Sequence, residues 1–163
     1  MLAAMGVRDA GAVGGEGEPE LRLTLEAFRL IMDERMPFAA LMGLRAEAIE
    51  PRSVRLRAVY DERFLRPGGT VAGPIMMGLA DAAMYALVLS RIGPVELAVT
   101  TELSINFLRK PAPGDVLAEA RLLKLGKRLA FGEVALWSES GSPSELVAHV
   151  TSTYSIPPPE RRR

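Results

Sequence analysis

The chain has 163 residues, 20 basic and 20 acidic, and a formal net charge of zero. That length favours one domain, and 48% hydrophobic residues supply a core for it. The balanced charge gives no reason to expect a nucleic-acid or membrane partner. Cysteine is absent, which excludes a disulfide framework, a thiolate nucleophile and a thiolate metal site. The single histidine, His149, argues against a histidine metal site.

Residues 1–20 are rich in Gly, Ala and Glu and read as a disordered leader, without the basic and apolar regions of a signal peptide. A soluble, cytoplasmic protein is expected. From Thr24 to about Arg35 the pattern is helical: Thr24 can cap, and Leu25, Phe28, Ile31 and Met32 recur at helical spacing. Pro37 interrupts it. Met36, Phe38 and Met42 follow, either packing on the body or lining an apolar pocket. Leu44–Glu50 and Val54–Tyr60 read as a hairpin, and Asp61–Ala72 as a long loop with Gly68-Gly69 in it.

The run Ile75–Leu89 is apolar on every side and predicts a buried helix of about fifteen residues, with Pro74 in its first turn and Gly93-Pro94 at its end. Asp81 is the only charge between Arg66 and Arg91. A lone carboxylate there either points to a solvated edge or serves a site. A glycine-rich turn feeding a helix N-terminus offers N–H groups to an anion, so these donors and Asp81 are expected to flank one cleft. Four strand patterns follow: Glu96–Leu108, Val116–Lys124, Leu129–Trp137 and Leu146–Ile156. In the first, Val99, Thr101, Leu103, Ile105 and Phe107 share an alternating face. Residues 157–163 read as a disordered tail, leaving 21–156 as one domain. One long helix against a curved antiparallel sheet is an α+β, two-layer arrangement. An apolar opposite face and bare edge strands predict a homodimer, extending to a homotetramer.

Five stretches, in this order, resemble the PaaI-type acyl-CoA thioesterases of the hot-dog fold: Arg66–Asp81, Val99–Ala112, Gly114-Asp115, and Gly126–Arg128 leading into Leu129–Phe131. The likeness covers about residues 36–156. It implies that Asp81 is the catalytic carboxylate, nucleophile or general base, and that the Gly73 N–H stabilises the oxyanion. Thr100 falls where relatives place a hydroxyl in the site. Two positions depart: Ala72 stands where the family has histidine, and Arg66 where it has Asn or Gln. His149, in the last strand, does not take the histidine's place. The resemblance further implies an acyl-CoA substrate, with CoA as part of the substrate and no cofactor or metal. It also implies a dimer in which carboxylate and oxyanion donor come from different subunits. Arg109, Lys110, Lys127 and Arg128 are candidates for the CoA phosphates, and Met77 and Tyr85, with Met76 and Met84, for the acyl pocket. The departures at Ala72 and Arg66 leave a non-catalytic acyl-CoA binding or regulatory module as the alternative. A hydratase lacks its histidine in the loop.

Overall fold

The computed structural model describes residues 18–161. Most of the expected leader therefore lies outside the described residues, and residues 18–20 are exposed and irregular. Helix α1 (Leu25–Arg35) starts where Thr24 Oγ1 accepts the Ala27 N–H at 3.2 Å, and it buries Phe28 and Met32. A short helix, α2 (Pro37–Leu41), has its proline in the first turn. Strands β1 (Leu44–Ile49) and β2 (Val54–Ala58) form the expected hairpin. The long loop holds more order than its composition suggests. Asp61 caps a 3₁₀ turn, Glu62–Phe64, and β3 (Leu65–Arg66) pairs with β4 (Thr70–Val71). Gly68 and Gly69 make the tight turn between them at φ +95° and +71°, a region that side chains rarely enter.

Helix α3 (Gly73–Ile92) is 20 residues long rather than fifteen, because Gly73 and Pro74 begin it and Ser90, Arg91 and Ile92 continue it to Gly93, where φ is +88°. By length and composition it is long and apolar enough to cross a bilayer, yet two-thirds of it is buried inside the fold. It is a core helix. Strands β5 (Val99–Phe107), β6 (Val116–Leu125), β7 (Leu129–Ser138) and β8 (Ala148–Ser155) complete one antiparallel sheet in the order β1-β2-β6-β7-β8-β5. α3 lies across the inner face of this sheet, where Val54, Leu56, Ala118, Val134, Leu136 and Val150 are fully buried. A Cβ on Gly132 of β7 would stand 2.8 Å from Met84 Sδ, so the missing side chain is what lets helix and sheet approach here. The expected tail is ordered as far as Arg161, in a 3₁₀ turn from Pro159.

The outer face of the sheet differs from the apolar one expected. It carries ion pairs, Arg55 with Glu119 at 3.0 Å, Arg121 with Glu119 at 2.6 Å, and Arg57 among Glu47, Asp115 and Glu139, and a hydrogen bond between His149 and Glu133 at 3.1 Å. On β2 the alternation of Val54, Leu56 and Ala58 with Arg55 and Arg57 separates core from charge residue by residue. Exposed apolar side chains gather instead at the β6–β7 hairpin, in Leu123, Leu125, Leu129 and Phe131, and at the ends of edge strand β5, in Leu97, Val99, Phe107 and Leu108.

Candidate active site

Asp81 is partly buried and paired. Its Oδ1 accepts the Thr100 hydroxyl at 2.5 Å and the Tyr154 hydroxyl at 2.7 Å, while its Oδ2 receives no hydrogen bond from the described residues. The two donors reach it from neighbouring strands, since Thr100 of β5 pairs with Tyr154 of β8. Strict alternation sets Thr100 opposite Leu103, Ile105 and Phe107. A bulge between Thr100 and Glu102 inserts one residue and turns Thr100 to the helix side. The single-face reading of Val99 to Phe107 is corrected accordingly: Val99 is 55% exposed, and Thr101 donates to the Thr153 carbonyl at 3.1 Å.

Sequence reasoning missed Tyr154. It is 2% exposed, and its hydroxyl also lies 3.0 Å from the Asp81 carbonyl. Burial, reinforced by the Asp81 charge, pushes the phenol far above its ordinary value, so it stays a donor. Its ring is 6.3 Å from that of Tyr85, which is 6.2 Å from Phe28, so the phenol stands at the end of a row of three aromatic rings. The available signal was alternation: Ala148, Val150, Ser152 and Tyr154 share the buried face of β8.

The carboxylate stands in the wall of a cavity of about 520 Å³. Gly78, Asp81, Ala82 and Tyr85 line it from one face of α3, and Met36, Phe38 and Met42 close it from the α1–α2 region. The pocket reading of those three residues is therefore the one the fold supports. Tyr85 joins them, with its hydroxyl donating to the Glu96 carbonyl at 3.1 Å. Met77 does not; it is 40% exposed and outside the cavity.

Gly73 lies elsewhere. It lines a second cavity, of about 370 Å³, with Arg66, Met76, Phe107, Arg109 and Lys110. The expectation that one cleft holds both Gly73 and Asp81 is thus corrected: they are about two helical turns, ~12 Å, apart and open into different cavities of one chain. At the first helical position the Gly73 N–H has no helix acceptor, and the N-cap, Ala72, has no side chain to cover the helix start. The space above Gly73 is tight, for a Cβ there would stand 3.1 Å from the tip of the Phe107 ring. Arg66 lines this cavity, while the nearby Asp61 pairs with Arg63 at 2.6 Å. The four basic residues do not form one patch. Arg109 and Lys110 follow the Phe107 end of β5, whereas Lys127 and Arg128 lie at the other end of the sheet, where Arg128 Nε donates to the Ile156 carbonyl at 3.0 Å. Among the described residues no cluster of His, Asp or Glu is placed to hold a metal ion.

The comparisons agree with this fold. The family model described as "Thioesterase superfamily" matches residues 68–144. The crystal structure of a candidate thioesterase from Silicibacter sp. TM1040 superposes with a TM-score of 0.77 at 44% identity, covering 86% of this chain and 96% of that one. A candidate esterase of Pseudomonas aeruginosa is 33% identical over 126 residues, 74% of this chain and 89% of that protein. The phenylacetic acid degradation protein PaaI of Thermus thermophilus, as an N33D mutant, aligns at 28% identity with a TM-score of 0.64, over 74% of this chain and 99% of that one. The chain belongs to the thioesterase superfamily and is a thioester hydrolase of the PaaI-type hot-dog group.

Proposed function

We propose that the protein is a soluble, cytoplasmic acyl-CoA thioesterase that works as a homodimer. The observation that carries this is the Asp81 carboxylate, with Oδ1 fixed by two hydroxyls and Oδ2 unbonded, in the wall of an otherwise largely apolar cavity. Water adds across the C–S bond of the thioester; the acid leaves with the water oxygen and CoA leaves as the thiol. Asp81 either takes the proton from that water or attacks the acyl carbon itself, and the Gly73 N–H holds the negative charge that develops on the carbonyl oxygen.

Within one chain those two groups face different cavities, and the edge strand supplies the way to join them. β5 has Thr100, next to Asp81, near one end and Phe107, against Gly73, at the other. Antiparallel pairing of β5 with β5 of a second copy sets the Phe107 end of each beside the Thr100 end of the other. Each site then takes its carboxylate from one copy and its oxyanion donor, with Arg66, Arg109 and Lys110 for the CoA phosphates, from the other. The exposed Leu97, Val99, Phe107 and Leu108 would be covered by the same contact.

Turnover of a panel of acyl-CoA thioesters, read by release of free thiol, tests this. Asp81→Asn keeps the shape of the side chain and is expected to lower kcat about 10²- to 10⁴-fold. Equal rates for parent and variant would remove Asp81 from the chemistry. The departures at Ala72 and Arg66 favour one second reading, a non-catalytic acyl-CoA binding module; tight binding of CoA thioesters with no thiol released by the parent would establish it instead.

A further inference from the structure

Gly78 lies one turn before Asp81 on the same face of α3 and lines the same cavity. A side chain does not fit there. A Cβ on Gly78 would stand 2.6 Å from Met42 Sδ and 2.7 Å from Met42 Cε. The tip of Met42 fills the notch that the glycine leaves. A glycine within a helix costs about 1 kcal/mol relative to alanine, so its place here calls for a packing reason. The thioether over α3 is that reason.

Met42 follows α2, is 5% exposed, belongs to the buried core, and also borders the cavity. Of the contacts that surround the carboxylate, this is one between a helix backbone and an unbranched side chain with a polarizable, freely rotating end. Met42 belongs to the core and borders the cavity, so the cavity is open space beside it.

We infer that Met42, seated in the notch at Gly78, sets the depth of the acyl pocket and with it the acyl length the enzyme accepts. The inference rests on the acyl-CoA reading above. Seated, the thioether leaves the cavity open; displaced, it shortens it. Gly78→Ala displaces it and moves the preference to shorter acyl groups. Met42→Ala removes it and moves the preference to longer ones. In the double variant the new methyl meets no thioether, so it recovers the long acyl groups that Gly78→Ala loses.

Two readouts on the parent, both single variants and the double variant separate this inference from the reading beneath it. The first is binding of S-alkyl-CoA thioethers of increasing straight-chain length, which cannot be hydrolysed and report depth without turnover. The second is kcat/KM for the matching saturated acyl-CoA series, which reports the hydrolase activity. Gly78→Ala is expected to weaken the longest ligand bound by the parent about tenfold or more, with short ligands unchanged, which is the scale of one or two methylenes in an apolar pocket. Opposite shifts in the two single variants and recovery in the double variant support the inference, with or without turnover. Identical length profiles in parent and Met42→Ala overturn it, as does a folded double variant with no recovery. A parent that binds the series without hydrolysing any thioester overturns the hydrolase reading alone, and a parent that binds none of the series overturns both.

Discussion

Around Asp81 the walls are largely apolar, and the carboxylate is held by two neutral hydroxyls. Arg35, at that cavity, is paired with Glu96 at 3.3 Å. Around Gly73, at the start of the same helix, the walls carry Arg66, Lys110 and Arg109, the last 3.7 Å from Glu145, and the group proposed to act there is a backbone N–H. One end is built to bury a hydrocarbon beside a single negative charge. The other has the basic lining that the proposed reading assigns to phosphates and a developing oxyanion. A thioester of CoA has both characters, an apolar acyl group and an anionic nucleotide, joined at the bond that breaks. The difference between the two ends teaches that an apolar, acidic lining and a basic lining are kept apart within one chain, and on the proposed reading a second copy brings them together.

The largest effect comes from testing that division directly. Asp81→Asn damages one half, and Gly73→Pro, which removes the N–H at a helix position whose backbone accepts proline, although its Cβ would stand 3.1 Å from the Phe107 ring, damages the other. Each variant alone is expected to be nearly inactive. Unfolded, mixed and refolded together, they form heterodimers in which one of the two sites keeps both native groups, so about a quarter of parental activity returns. No recovery, with dimers reformed and each variant folded by circular dichroism, breaks the comparison, because both groups would then have to act within one chain.

A smaller effect is expected at the Asp81 end alone. Tyr154→Phe leaves the buried ring and removes one donor from Oδ1. A hydrogen bond to a charged group is worth about 1.5–3 kcal/mol, so kcat is expected to fall roughly 10- to 100-fold. KM should change little, because the phenol orients the carboxylate and does not bind the CoA. In the Asp81→Asn background the same substitution should add almost nothing, which a loss of general stability would not imitate. A fall in rate of the same size in both backgrounds would make Tyr154 a packing residue only.

Much of this arrangement could be read before the fold was seen, and the parts that could not have physical reasons. The apolar run after Pro74 announces a buried helix, and Asp81 stands out in it because a carboxylate is costly to bury. The hairpins follow from alternation and from turns such as Pro51-Arg52-Ser53 and Gly126-Lys127-Arg128. The hydroxyl at Thr100 is legible by resemblance, but its direction is not, since a bulge at the next residue reverses the alternation that sequence reading depends on. Tyr154 sits on a buried strand face with nothing local to mark it, and only the pairing of β8 with β5 brings it to Asp81. The separation of Gly73 from Asp81 into two cavities depends on where sheet residues far along the chain close over the helix. Helical spacing alone does not carry that information.

At the Gly73 end, Arg109→Ala and Lys110→Ala should each raise KM for a CoA thioester about threefold to fivefold, the scale of an exposed charge pair. Both effects should shrink as salt is added. The same acyl group on N-acetylcysteamine, which lacks the nucleotide, should show no change. Equal losses with both thioesters would mean that the basic residues shape the fold of this end and do not meet the phosphates.

The smallest effect concerns what holds each end in place. The Asp81 end rests on neutral hydroxyl donors, whereas the loop leading to Gly73 is anchored by an ionised group. Asp115 Oδ1 accepts the Tyr60 N–H, just before that loop, at 2.8 Å, and its Oδ2 accepts from Arg57 Nη1 at 2.8 Å. Partial burial by itself would raise this carboxyl, but the Tyr60 N–H and Arg57 outweigh it and hold the group below its ordinary value. A carboxylate whose value is lower folded than unfolded stabilises the fold fully above the unfolded value, near 3.9 for Asp. That stabilisation is lost as pH falls through the lower, folded value. Asp115→Asn should therefore reduce urea stability at pH 7 by about 1 kcal/mol, with the screening of a partly exposed pair included. Below about pH 4 the gap between parent and variant should narrow as the parent's own carboxylate is protonated. Amide exchange should place the acid-sensitive opening in residues 59–72, with the Thr100 and Tyr154 strands protected throughout. A gap that stays constant into acid, or an opening that begins around Asp81, would show that the ionised anchor is not what separates the two ends.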